Sequence, residues 1–160
     1  MKQIITTALL ISSLILVISC REAAQESIAT QEFTFTKEGK LHLIKTATND
    51  TIQSLDIEIA DTDYDIQTGL MYRTNMKENQ GMLFLFSEER DIAFYMRNTK
   101  ISLDIIYLND QQQIVDFKEN TTPMDETPLP SAMPARYVLE INAGLSEKWG
   151  LDIGDRVEWE

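Results

Sequence analysis

Between residues 52 and 60 (IQSLDIEIA) the chain alternates, with Leu55, Ile57 and Ile59 separated by Asp56 and Glu58. An apolar residue at every second position is the period of a strand with one buried and one wetted face. A helix would place its apolar residues three and four apart. The other apolar residues also gather into runs of strand length. Residues 82–86 (MLFLF) are apolar throughout and lie between Gly81 and Ser87, as suits a strand buried on both faces. Residues 92–96, 103–108 and 113–118 read as further strands. Asn98-Thr99-Lys100 and Asn109-Asp110 supply the turns, and the second turn predicts a hairpin. Residues 137–141 and 156–159 complete the set.

Helical signals are short. Asp61-Thr62-Asp63 offers capping oxygens before Tyr64, Ile66 and Leu70, and Gly69 stands where a glycine ends a helix. Residues 146–149 predict one more turn of helix, and residues 71–80 a polar loop. All four prolines fall between Pro123 and Pro134, which predicts an extended surface loop, because proline lacks the N–H that a sheet interior needs. These elements predict a compact, β-rich α+β single domain with a mixed, partly barrel-like sheet and two short helices. No internal repeat is present.

The N-terminus is of a different kind. After Lys2, residues 4–18 are uncharged and rich in Ile and Leu, too short for a membrane span, which needs roughly 20 residues, and suited to a signal-peptide core. The stretch ends in Val17-Ile18-Ser19-Cys20, which looks like a lipobox. Cleavage before Cys20 and acylation of its thiol are therefore expected, since two or more acyl chains hold a protein stably on a bilayer. Arg21 stands where Asp would retain an enteric lipoprotein at the inner membrane, leaving the outer membrane open. The expected organisation is a signal peptide over 1–19, a lipidated tether over 20–40 with a weak strand at 33–36, and a globular domain over 41–160.

Charge narrows the partners. Fourteen basic residues against 26 acidic ones give a net charge of −12, and removing residues 1–19 takes away one more cation, Lys2. Such a domain is repelled by nucleic-acid phosphates and by anionic headgroups, so nucleic acid is excluded as a partner and the bilayer is reached only through lipid. Cys20 is the one cysteine, so no internal disulfide forms.

Five ordered blocks carry a family resemblance. They are Gly69-Leu70-Met71-x-Arg73; Gly81-Met82-Leu83-Phe84-x-Phe86; Phe94-Tyr95-Met96-Arg97-Asn98-Thr99 leading to Leu103-Asp104-Ile105-Ile106; Ala135-Arg136-Tyr137-Val138-Leu139-Glu140; and Gly154-Asp155-Arg156-Val157. Together they resemble domain-of-unknown-function family 192, also called uncharacterised protein family 0127, across nearly all of the globular part. The resemblance implies a small β-rich domain, often exported, with no established activity. Tyr95, Arg97 and Ser102 stand where Trp, Lys and Pro are frequent in that family, and Met124 and Leu129 occupy the places of a cysteine pair that many relatives carry.

Nucleophilic catalysis lacks its parts, since Cys20 is committed to lipid and His42 is the single histidine, expected on a strand surface. A His/Cys metal site fails on inventory, and Met82 and Met96 sit in apolar runs where thioethers fill core. Asp61-Thr62-Asp63-Tyr64-Asp65 resembles the start of a calcium loop, but Ile66 and Tyr72 occupy the positions that require Gly and Glu. No phosphate loop, metal or cofactor is expected.

What remains is a set of polar residues inside apolar blocks: Arg73, Arg97, Asn98, Thr99, Asp104, Glu119 and Arg136, with Glu140 closing the late strand. Asp104 among apolar neighbours needs a partner, and Arg73 and Arg97 are available. Either these groups lock a turn, or Arg73 and Arg97 hold a polar ligand in a cleft. The leading expectation is a non-enzymatic, membrane-tethered domain at the cell envelope that binds a small polar ligand, an envelope glycan or a protein partner. The alternatives are a hydrolase or lyase using Asp104 and Glu119 as acid and base, and a structural accessory subunit of an envelope complex.

Overall fold

The computed structural model describes residues 33–160. The apolar stretch at 4–18, Cys20 and most of the expected tether lie outside the described residues. Along the described chain run β1 (Gly39–Ile44), β2 (Thr51–Ala60), α1 (Asp63–Thr68), β3 (Gln80–Arg90), β4 (Ala93–Phe94) and β5 (Leu103–Leu108). Then come β6 (Ile114–Lys118), β7 (Leu129–Pro130), β8 (Ala135–Asn142), α2 (Leu145–Trp149) and β9 (Arg156–Trp159). Seven strands form one sheet in the order β6-β5-β8-β3-β2-β1-β9, and β4 pairs separately with β7.

The sheet is mixed because β2 and β3 run parallel while the other neighbours are antiparallel. A parallel pair cannot be joined by a tight turn, so the chain crosses over through α1 and the polar loop after it. Thr62 caps α1 by accepting the Asp65 N–H, and Gly69 ends it, as the sequence predicts. The sheet is not closed. A single bridge between Gln113 and Arg156 joins its outer strands at one corner, which makes it partly barrel-like.

Alternation divides the apolar residues into two cores. Leu55 and Ile57, Leu83, Ile106 and Leu139 face one side with Leu145 of α2. Met82 and Phe84, Ile105 and Tyr107, and Val138 face the other, where Leu70, Ile92 and Met96 cover them. The apolar run 82–86 belongs to β3, the fourth of seven strands, covered on both faces. Met82 and Met96 are core residues.

Four local expectations change. Residues 33–36 form no strand, and the first one begins at Gly39. β1 is additional to the strands expected; His42 lies on it, with Nδ1 2.8 Å from Ser54 Oγ. The strand expected over 92–96 shrinks to Ala93–Phe94, because its only partner is the two-residue β7. The proline loop is thus not wholly irregular: Pro130 sits opposite Ala93 in a separate edge pair, outside the main sheet, where its missing N–H is tolerated.

Tyr107, fully buried on β5, donates its hydroxyl to the Leu129 carbonyl and so ties this loop to the sheet. Tyr107→Phe should lower the unfolding free energy by about 1 kcal/mol, the usual net value of one such bond. Urea unfolding should show a lower midpoint at an unchanged slope.

Candidate functional site

Glu140 sits in a row of side chains on the second face of the sheet. It lies opposite Met82 of β3 and Ile105 of β5, and Met82 in turn lies opposite Glu58 of β2. The flanking Leu139 and Ile141 point into the first core, so alternation sends the Glu140 carboxyl the other way. Glu140 is 5% exposed. Burial pushes its pKa up to about 8, with no hydrogen bond or nearby cation holding it down. It is therefore mostly a neutral acid at pH 7.

This carboxyl lines a cavity of about 440 Å³. One wall is the end of α1 and the turn after it, residues 66–71. Phe84 and Phe86 of β3 form another, and residues 91–95 with Thr99 form a third. Arg90 stands at the rim, exposed, with its guanidinium carbon 4.9 Å from the centre of the Phe86 ring. Among the described residues Arg90 makes no ion pair.

Gly69 lets the backbone pass over this wall. Its φ is +45°, and a Cβ there would meet the Phe84 ring at 3.0 Å and stand 4.0 Å from Glu140 Oε2. Gly69→Ala should cost about 1–2 kcal/mol through backbone strain and should narrow the cavity. A thermal melt with no loss of midpoint would show that the backbone relaxes instead.

A second cavity of about 280 Å³ shares Thr68 and Gly69 as a wall and holds Glu58 and Arg73. Glu58 lies on the face of β2 that the alternation predicts to be wet, yet it is 6% exposed because the chain after α1 covers it. Arg73 Nη2 stands 2.6 Å from Glu58 Oε2, a close ion pair without aligned hydrogen-bond geometry at that oxygen, and Thr36 N donates to Glu58 Oε1.

The other singled-out residues do not converge. Asp104 is fully buried on the first-core face, where Oδ1 accepts from Asn120 N and Gly144 N and Oδ2 from Ser146 N. Its partners are backbone amides, not the arginines expected, because Arg73 is held by Glu58 and Arg97 is exposed in a turn. Asn98, at φ +56°, donates to the Tyr72 hydroxyl, and Thr99 is the one candidate that lines the larger cavity. Glu119 is exposed after β6, and Arg136 reaches toward the Phe86 carbonyl at 3.5 Å. Asp104 and Glu119 line neither cavity.

In sequence Glu140 stands out only as one member of the polar set, with no ligand role of its own, and Arg90 does not stand out at all. A signal for Glu140 existed, since it is an acid inside the otherwise apolar run 138–141 of a strand with both faces covered.

The fold and this acid-floored cleft define a small, single-domain β-rich protein built on a mixed seven-stranded sheet. The chain belongs to the DUF192 family, described as "Uncharacterized ACR", whose model matches residues 44–159. UPF0127 proteins of Thermococcus sibiricus and Thermococcus gammatolerans are 27% and 30% identical over 106 residues, covering 65% of this chain and 66% of their own. The chain thus spans slightly less than two thirds of those relatives. Two solved structures share the fold. A protein of unknown function from Novosphingobium aromaticivorans is 38% identical, with a TM-score of 0.71 over 75% of this chain and 84% of its own. A Sinorhizobium meliloti protein, provisionally described as a transcription regulator, is 34% identical, with a TM-score of 0.73 over 79% and 97%.

Proposed function

We propose that this domain binds a small polar ligand in the cavity floored by Glu140, without catalysis, at the cell envelope, where lipid on Cys20 holds it. The observation that carries the reading is the Glu140 carboxyl, buried, without a hydrogen-bond donor among the described residues, and facing an open cavity. A carboxyl with no protein partner that opens on a cleft leaves its hydrogen-bonding capacity for a ligand to take up. The apolar stretch before Cys20 and the Ser19-Cys20 junction support the lipid anchor. The acidic balance of the chain gives no support for carrying over the transcription-regulator description. No observation favours Asp104 and Glu119 as an acid–base pair, since three backbone amides already occupy the Asp104 carboxylate.

The test is a thermal-stabilisation screen of envelope metabolites and glycans against the full chain. At least one class should raise the melting temperature of the wild type and leave Glu140→Ala unmoved. A broad screen without a stabilising compound would sink the ligand-binding reading. The anchor is tested separately: Cys20→Ser should abolish incorporation of labelled palmitate and shift the chain out of the membrane fraction.

A further inference from the structure

We infer that the ligand is uncharged and presents a hydrogen-bond acceptor, a carbonyl, amide or hydroxyl oxygen, to Glu140. The inference rests on the cavity reading above and adds the chemical class.

Beside the Glu140 carboxyl stand Phe84 and the backbone of Gly69; Phe86, Ile92 and Phe94 line the same space together with Gln67, Thr68 and Asp91, so the walls mix apolar and polar surface. The nearby Tyr107 hydroxyl is committed to the Leu129 carbonyl, and the Thr99 hydroxyl is turned to the Arg97 carbonyl. A neutral carboxylic acid therefore offers one O–H donor that a single acceptor satisfies.

A cationic ligand fits less well. Its ammonium and the Glu140 carboxylate would both lose their water on pairing at the floor. An anionic ligand would meet no cation at the floor, because Arg90 stands at the mouth. The Arg90 guanidinium, without an ion-pair partner among the described residues, is instead placed to take a second oxygen of a ligand whose body lies along Phe86.

The acid–base state of Glu140 supplies the readout. The charged and titratable groups on the elements packed against it are Tyr107 across β5, Lys118 with its ion-pair partner Asp116 on β6, and Glu58 with Arg73 across β3. Arg90 and Asp91 stand at the rim, and Asp65 lies on α1. His42 lies on β1, bonded to Ser54, outside the cavity lining. With Glu140 protonated below about pH 8 and ionised above it, an acceptor ligand loses its donor as pH rises.

The experiment titrates the full chain with three probes of one shape, phenylacetamide, phenethylamine and phenylacetate, following amide resonances of Gly69, Tyr95 and Thr99 by NMR. Phenylacetamide should bind most tightly, and about tenfold more weakly at about pH 9 than at about pH 6, the ratio expected for a donor titrating near pH 8. Glu140→Gln keeps a neutral donor at the same place, so it should bind phenylacetamide at both pH values with that pH dependence gone. If the variant does not fold, the slopes of the wild type decide alone. Tighter binding of phenethylamine, strengthening as pH rises, would overturn the acceptor class and leave the cavity reading standing, as would preference for phenylacetate. If none of the three moves the cavity resonances, the inference and the cavity reading fail together.

Discussion

Glu140→Gln is expected to stabilise the protein at pH 7 by roughly 2 kcal/mol, about what the linkage of a raised carboxyl pKa allows once the new amide's own burial is set against it. The carboxyl has an ordinary pKa of 4.5 and is pushed up to about 8 by burial in the fold. Between those values the folded state holds a proton that the unfolded state releases. Stability from this group is therefore fully present below about pH 4.5 and falls by about 1.4 kcal/mol per pH unit up to about pH 8, where the loss is complete. Urea unfolding of both proteins at about pH 5, 7 and 9 measures it. The two curves should sit closest at the acid end and separate steadily toward pH 8, with the variant above. Parallel curves would mean that the carboxyl ionises freely in the folded state. A group kept in a protein against its own stability is the usual sign of a functional residue.

Asp104→Ala should cost about 3–5 kcal/mol, the largest loss expected from one substitution here, because three backbone N–H groups lose their acceptor in a buried place. The carboxylate joins β5 to the loop after β6 and to the start of α2, accepting from Asn120, Gly144 and Ser146. Gly144 provides no side-chain cap of its own, so Asp104 satisfies orphan amides at the start of that short helix from across the fold. Asp104→Asn retains one acceptor oxygen and should recover part of the loss. Hydrogen exchange should rise first at residues 144–149 in the alanine variant. Unchanged exchange there would show that water replaces the carboxylate.

Much of the fold was legible because strand patterns are local. The alternation at 55–59 and the apolar run at 82–86 each report their own burial, and capping residues mark the ends of α1 directly in sequence. β4 was overread because Phe94 and Met96 are apolar for packing against the sheet, and pairing requires a partner strand that only the proline loop provides. Glu58 was read as wet because alternation says that a side chain leaves one core. It does not say that another segment covers it, which here is the chain carrying Arg73.

By itself, then, the sequence determined six of the seven strands of the main sheet, missing β1 inside it, together with the sites of the turns and the family, and pointed to an anchor at Cys20. Only the tertiary structure decided which polar residues matter together. Arg73, Arg97, Asp104 and Glu119 carry charge inside apolar blocks, but register and crossover send them to different places. Glu140 and Arg90 meet the same cavity because β8 lies between β3 and β5 while α1 crosses over their outer face. Such proximity comes from strand order, a long-range property that no local period in the chain records.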